Sequence, residues 1–195
     1  AAMPQVALPG LLRVLDDAVQ HPDAVEADLW GSDVAEGVPQ RLVDYCLGLL
    51  SRPVGEETLG AAQLAASVVV RPPSSHTMLT AEHRCQLVAT AADQLASLLR
   101  ETLSSSLPGT RTALLRLVAI SAYRCSSAQE AVMGSKGGVG AVLASIGAID
   151  TVDPTAREWG IMAIRNLAEG NLRVQAEIAS LELREARESP ELAAA

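Results

Sequence analysis

Phenylalanine is absent from this 195-residue chain, and aromatic residues make up only 2% of it although 49% is hydrophobic. A β-sandwich, which relies on β-branched and aromatic cross-strand pairs, is therefore disfavoured. Ala, Leu and Val must fill the core instead. Ala and Leu are strong helix formers, and small side chains let helices approach closely. No C-x-x-C occurs: Cys46, Cys85 and Cys125 are odd in number and widely spaced, so neither a zinc nor a redox motif is expected. Cys46 and Cys125 lie in apolar helical context and are expected as buried thiols, which suits a reducing cytosol. No stretch reaches transmembrane length; the most apolar run, 61–70, contains Gln63 and Ser67. A basic segment followed by an apolar core is missing from the start, which reads as an arbitrary or processed end without a secretory signal. A cytoplasmic protein is expected.

Runs of Lys or Arg are lacking as well. With 15 Lys plus Arg against 23 Asp plus Glu, the net charge is −8. Non-specific binding to nucleic acid or to an anionic membrane needs a basic surface, so neither partner is expected. No local basic patch is visible in the sequence. G-x-S-x-G, H-E-x-x-H and paired-carboxylate motifs are absent, and a non-enzyme is the expectation. Of the histidines His21, His76 and His83, the last two lie near Cys85, but at no standard ligand spacing. Exposed histidines and no metal or cofactor are expected.

What the chain does have is helical periodicity almost throughout. It predicts helices at about 10–20, 23–30, 39–51, 56–70, 80–104, 109–125, 128–133, 139–149, 154–169 and 171–187. Two breaks stand out, Arg71-Pro72-Pro73-Ser74-Ser75 and Ser104-Ser105-Ser106-Leu107-Pro108-Gly109. They divide the chain into a helical region, 1–105, and a second domain, 106–195. The segment 153–171 carries both ends of a helix in sequence. Asp153 or Thr155 can cap its start, Pro154 suits a first turn, and Thr155 with Glu158 has capping-box spacing. Gly170 can close the helix in the left-handed conformation, and Asn171 can cap the next one. Two helices joined so tightly must fold back on each other. The last helix, with Glu182, Arg184, Glu185, Arg187 and Glu188, reads as a polar terminal cap.

A repeat supports this. Placing Gln129 on Gln175 puts Leu117-Val118 on Ala163-Ile164, Tyr123 on Glu169 and Val132 on Ile178, a period of 46 residues. HEAT and armadillo units run ~40–47 residues. Between the copies, Lys136-Gly137-Gly138-Val139-Gly140 reads as an inter-repeat turn, with Gly137 and Gly138 letting two helices meet sharply. The same residues resemble part of the deviant phosphate loop of cell-division ATPases. That loop needs a terminal Lys and a Ser or Thr, where this chain has Ala141 and Val142, and a strand before it, where a helix is predicted.

Arg157-Glu158-Trp159, Ala163-Ile164-Arg165-Asn166-Leu167, Glu169-Gly170-Asn171 and Gln175 together resemble the carboxy-terminal domain of the ataxin-10 family. The match extends upstream through Leu114-Leu115-Arg116-Leu117, Tyr123-Arg124 and Gln129 to the Gly137-Gly138 turn, over roughly the last half of the chain. The resemblance implies armadillo-like helical repeats and a binding scaffold, not an enzyme. It also associates the family with cell survival, cytokinesis and neurite growth.

Trp159, Met162, Ala163 and Asn166 share one helix face by spacings of three, four and seven. In armadillo repeats an Asn at such a position lines a peptide groove, and the resemblance places Asn166 there. Met162 stands where an aromatic residue is frequent, and Ile120 stands at the Asn166 position of the preceding copy. Asn166 bonding to a neighbouring helix end is the competing expectation. Glu158, Arg165 and Glu169 form a charged stripe beside this face, either a solvated surface or a rim that selects partners, with Arg165 and Glu169 spaced to pair. Trp159 is expected to be largely buried between repeats. The sequence thus predicts an all-α, armadillo-like helical repeat superhelix. It would be a cytoplasmic scaffold presenting Trp159, Met162, Arg165, Asn166 and Glu169 to a partner protein. The alternative is a nucleotide-binding protein or NTPase regulator using 136–140. A third is a homo-oligomer that buries its groove against itself.

Overall fold

A computed structural model describes residues 38–70, 80–100, 108–147 and 155–188. The described residues form helices and no strand. In chain order the helices are α1 (Val38–Leu50), α2 (Glu56–Val70), α3 (Ala81–Arg100), α4 (Thr110–Ala122), α5 (Ser126–Gly134), α6 (Gly138–Gly147), α7 (Ala156–Ala168) and α8 (Leu172–Glu188). The helices expected at 10–20 and 23–30, the 71–75 linker, His21, His76, Asp153, Pro154 and the side chains of the charged last helix from Glu182 onward lie outside the described residues.

The contacts define two layers. α1, α3 and α6 follow one another in one layer, and α2, α4 and α7 in the other. The pairs α1–α2, α3–α4 and α6–α7 cross between layers, while the short α5 packs beneath α3. One continuous core runs from Val43 to Val174, built from Ala, Leu and Val, with Cys46 the only buried cysteine. Its small side chains permit unusually close backbone approaches. A Cβ on Gly137 would lie 2.1 Å from the Ala92 carbonyl oxygen of α3, and one on Gly160 would lie 2.5 Å from Ile146 Cγ1 of α6.

Long-range side-chain hydrogen bonds fall near the length of one repeat. They join residues 37 to 47 positions apart, among them Gln94 to Arg52, Gly137 to Asp93 and Asn166 to Ala119. The turns ending α4 and α7 are near-copies. Tyr123 and Glu169 leave the helix with ψ 117° and 110°, and Arg124 and Gly170 then take φ 49° and 70°. Cys125 N–H returns to the Ala122 carbonyl at 3.2 Å, and Asn171 N–H to the Ala168 carbonyl at 3.2 Å. Gln129 and Gln175 each reach back to those carbonyls, at 3.5 and 2.8 Å. Each of these pairs is separated by 46 residues.

Local expectations meet mixed outcomes. Asn171 caps α8, its Oδ1 accepting from Arg173 N–H and Val174 N–H at 3.1 and 3.2 Å. Thr155 does not form a capping box: its backbone is helical and its hydroxyl lies 3.0 Å from that of Thr112 on α4. A tertiary partner has taken the group that local capping would use. His83 is not simply exposed, because its ring bridges Thr80 Oγ1 at 2.6 Å and Asp44 Oδ1 at 3.3 Å, tying the start of α3 to α1. Cys125 ends outside the core. The left-handed turn at Arg124 breaks the predicted 109–125 helix and leaves Cys125 half-buried at the start of α5.

Candidate partner-binding groove

A groove of about 710 Å³ opens where α2, α3, α4 and α7 meet. α7 supplies one wall with Trp159, Met162, Arg165 and Asn166, and Glu169 stands at its end. All five residues singled out in the sequence therefore reach one surface, because spacings of three, four and seven place them on one helix face. Ala119, Ile120, Tyr123 and Arg124 of α4 and its turn form the facing wall, and Val69 and Arg84 close it from the first half of the chain.

Each side chain has a distinct setting. Ala163, predicted on the same face, turns fully into the core. Asn166 is 7% exposed, and its Nδ2 donates to the Ala119 carbonyl at 2.8 Å. That bond joins α7 to α4 and matches the structural role weighed for this residue; the same side chain still edges the groove. Trp159 is half-buried, not enclosed, because it lines the open groove; the Arg116 guanidinium covers one face of its ring, 5.7 Å from the ring centroid. Met162 and Tyr123 are 43% and 49% exposed, unusual for side chains of their size. The guanidinium of Arg124 lies 5.2 Å over the Tyr123 ring.

The groove is locally cationic. Arg84, Arg124 and Arg165 face Glu169 alone, in a chain whose net charge is −8. No ion pair among the described residues involves any of these arginines, and the expected Arg165–Glu169 pair does not form. The sequence showed no basic patch because these arginines come from three separate helical regions. The facing wall was recoverable in part: Ala119, Ile120 and Tyr123 are the residues 46 positions before Arg165, Asn166 and Glu169. Val69 and Arg84 carried no such signal.

Beside Arg84, the thiol of Cys125 is held below its ordinary pKa. Partial burial alone would raise it, but hydrogen bonds from Ser127, the Ala128 backbone and Arg84, with the Arg84 charge, together outweigh that. Cys46 shows the opposite case, pushed up to about 12 by burial.

The Gly137-Gly138 turn lies elsewhere, between α5 and α6. Gly138 has φ +57°, and its N–H donates to Ser135 Oγ at 3.0 Å. The Gly137 N–H donates to the Asp93 carboxylate at 2.9 Å. A phosphate loop needs such amides free for an anion, and here a carboxylate already holds one. A helix, α5, precedes the turn where a phosphate loop has a strand.

Residues 110–195 match the family model described as the spinocerebellar ataxia type 10 protein domain. This part of the chain is an ataxin-10 family domain. No curated protein and no solved structure matches the chain. The ataxin-10 domain begins at α4 and so contributes α4 and α7, the two long walls of the groove, while α2 and α3 lie before it. No helix among the described residues is long and apolar enough to cross a membrane.

Proposed function

We propose that this protein is a non-catalytic interaction scaffold of the ataxin-10 type, an armadillo-like superhelix whose groove between α4 and α7 receives a partner protein. The observation that carries the reading is the groove lining: Trp159, Tyr123 and three arginines outside any ion pair among the described residues, on one concave surface. Trp, Tyr and Arg are the residue types that dominate binding energy at protein interfaces. Guanidinium groups stay protonated across working pH, so they bind and orient but do not move protons. The two-layer packing and the turn repeated after 46 residues favour the armadillo-like description. Free thiols at Cys46, Cys85 and Cys125 suit a reducing compartment, and we place the scaffold in the cytoplasm.

A comparative pull-down tests the reading. Met162→Asp with Arg165→Glu changes two exposed groove residues, and Arg157→Glu changes an exposed residue outside it. Partners should be lost by the first variant and kept by the second, with circular dichroism unchanged in both. Equal retention by wild type and groove variant would sink the assignment.

A further inference from the structure

Resting on the partner-site reading above, we infer that the groove between α4 and α7 is selective for an acidic segment of a partner protein, clamped by Arg84, Arg124 and Arg165. The charge distribution carries this. Asp and Glu outnumber Lys and Arg 23 to 15 over the chain, yet this concavity gathers three arginines against Glu169. Outside the groove, Arg173 pairs with Glu130 and Arg52 with Glu57. The groove arginines have no carboxylate of their own. Three like charges gathered on one concave wall make a local positive potential that favours an anion, and a planar guanidinium takes a carboxylate in two parallel hydrogen bonds.

A second observation points to the same surface. Arg124 is the only non-glycine described residue with positive φ, at 49°. The position 46 residues later in the equivalent turn is Gly170, which adopts φ 70° without a steric penalty. The turn would therefore be less strained with glycine at 124, but a glycine would remove the guanidinium from the rim. Strained backbone of this kind collects at binding sites.

The walls add a requirement for apolar character. Trp159, Met162 and Tyr123 present partly exposed apolar surface beside the arginines. The segment that fits carries Asp or Glu on either side of a Leu, Met or aromatic residue. A nucleic acid offers anions too, but as a long polyanion it meets the whole −8 molecule, whereas a short acidic peptide meets chiefly the local field.

Selection from a random peptide library on the intact chain tests this, followed by fluorescence anisotropy with the selected peptides. The expected consensus is acidic with one central apolar residue, with affinity falling as salt is raised. Arg124→Glu with Arg165→Glu should weaken it by about tenfold or more and should favour a charge-reversed lysine peptide. Non-acidic peptides lost on Met162→Asp would overturn acidic selectivity and leave the groove as a partner site. Selection of no peptide that competes for the groove would overturn both readings. Displacement of the acidic peptide by a single-stranded oligonucleotide at lower concentration would reassign the arginines to nucleic acid. Groove-dependent doubling of mass in sedimentation, with no peptide bound, would reassign the surface to a second copy of the chain.

Discussion

Gly137 and Gly138 are neighbours in sequence, but each is glycine for its own reason. At Gly137 a Cβ would meet the Ala92 carbonyl oxygen at 2.1 Å, and a backbone atom cannot step aside. At Gly138 there is open space, and only φ +57° disfavours a side chain. Gly138→Ala should therefore cost about 1–2 kcal/mol, and Gly137→Ala at least about 3 kcal/mol. Thermal or urea unfolding of the two variants would rank them, and the opposite order would contradict the close approach of α6 to α3. The sequence places glycine in this turn, but only the packing separates steric need from backbone need. Asn166 teaches the same lesson. Its buried bond to Ala119 makes it structural, so Asn166→Ala should lower stability by about 1–3 kcal/mol while leaving helicity nearly unchanged. A variant with wild-type melting behaviour would show that the bond is dispensable. The cysteines differ in reactivity for physical reasons already described. Cys125, half-buried with a lowered pKa, should react with iodoacetamide in the native protein near neutral pH. Cys46, fully buried with its pKa raised to about 12, should react only on unfolding. Peptide mapping after timed labelling reads both.

Among the elements, the turns are more informative than the helices. Gly170 was legible as a helix stop because a Gly-Asn pair after an apolar stripe has left-handed and capping propensity of its own. Its counterpart at Arg124 was not, since Arg has no preference for positive φ. The helix was therefore expected to run through to Cys125, yet it ends at Ala122. Replacing Arg124 with Gly should leave stability unchanged or raise it by up to about 1 kcal/mol, whereas Gly170→Ala should cost about 1–2 kcal/mol. Matched melts of the two variants test whether the turns are equivalent. A large loss on Arg124→Gly would mean that the Arg124 side chain holds the turn. α2 was legible to the residue at both ends, because a long Ala-rich apolar run bounded by Gly55 and the Pro-Pro pair has few alternatives. The capping box at Thr155 failed because a tertiary partner, Thr112, offered its hydroxyl a second bond that local spacing does not register.

Across the whole molecule, the ataxin-10 domain and the preceding helices share a core. α4 packs on α2 and α3 as well as on α7, and the buried apolar residues between Val43 and Val174 form one cluster. A fragment covering 110–195 alone would expose the α4 surface that α2 and α3 now cover. Its helicity and melting cooperativity should be clearly lower than those of the whole chain, by circular dichroism and calorimetry. A sharp, independent transition would show that the domain completes its own core. The groove extends over the same boundary, with Val69 and Arg84 before it and Trp159 and Arg165 after it.

The sequence by itself determined the helical class, the 46-residue recurrence, the ataxin-10 resemblance and the face carrying Trp159, Met162, Arg165, Asn166 and Glu169. These depend on local periodicity, on end signals and on residue order, all of which are properties of neighbouring positions. Tertiary structure alone decided that Arg84 and Arg124 join Arg165, that Arg116 covers Trp159, and that Asn166 is spent on a helix-to-helix bond. Those outcomes depend on which helices lie side by side. The stacking energy that selects this arrangement is spread over many small Ala, Leu and Val contacts, none distinctive enough to be read in advance.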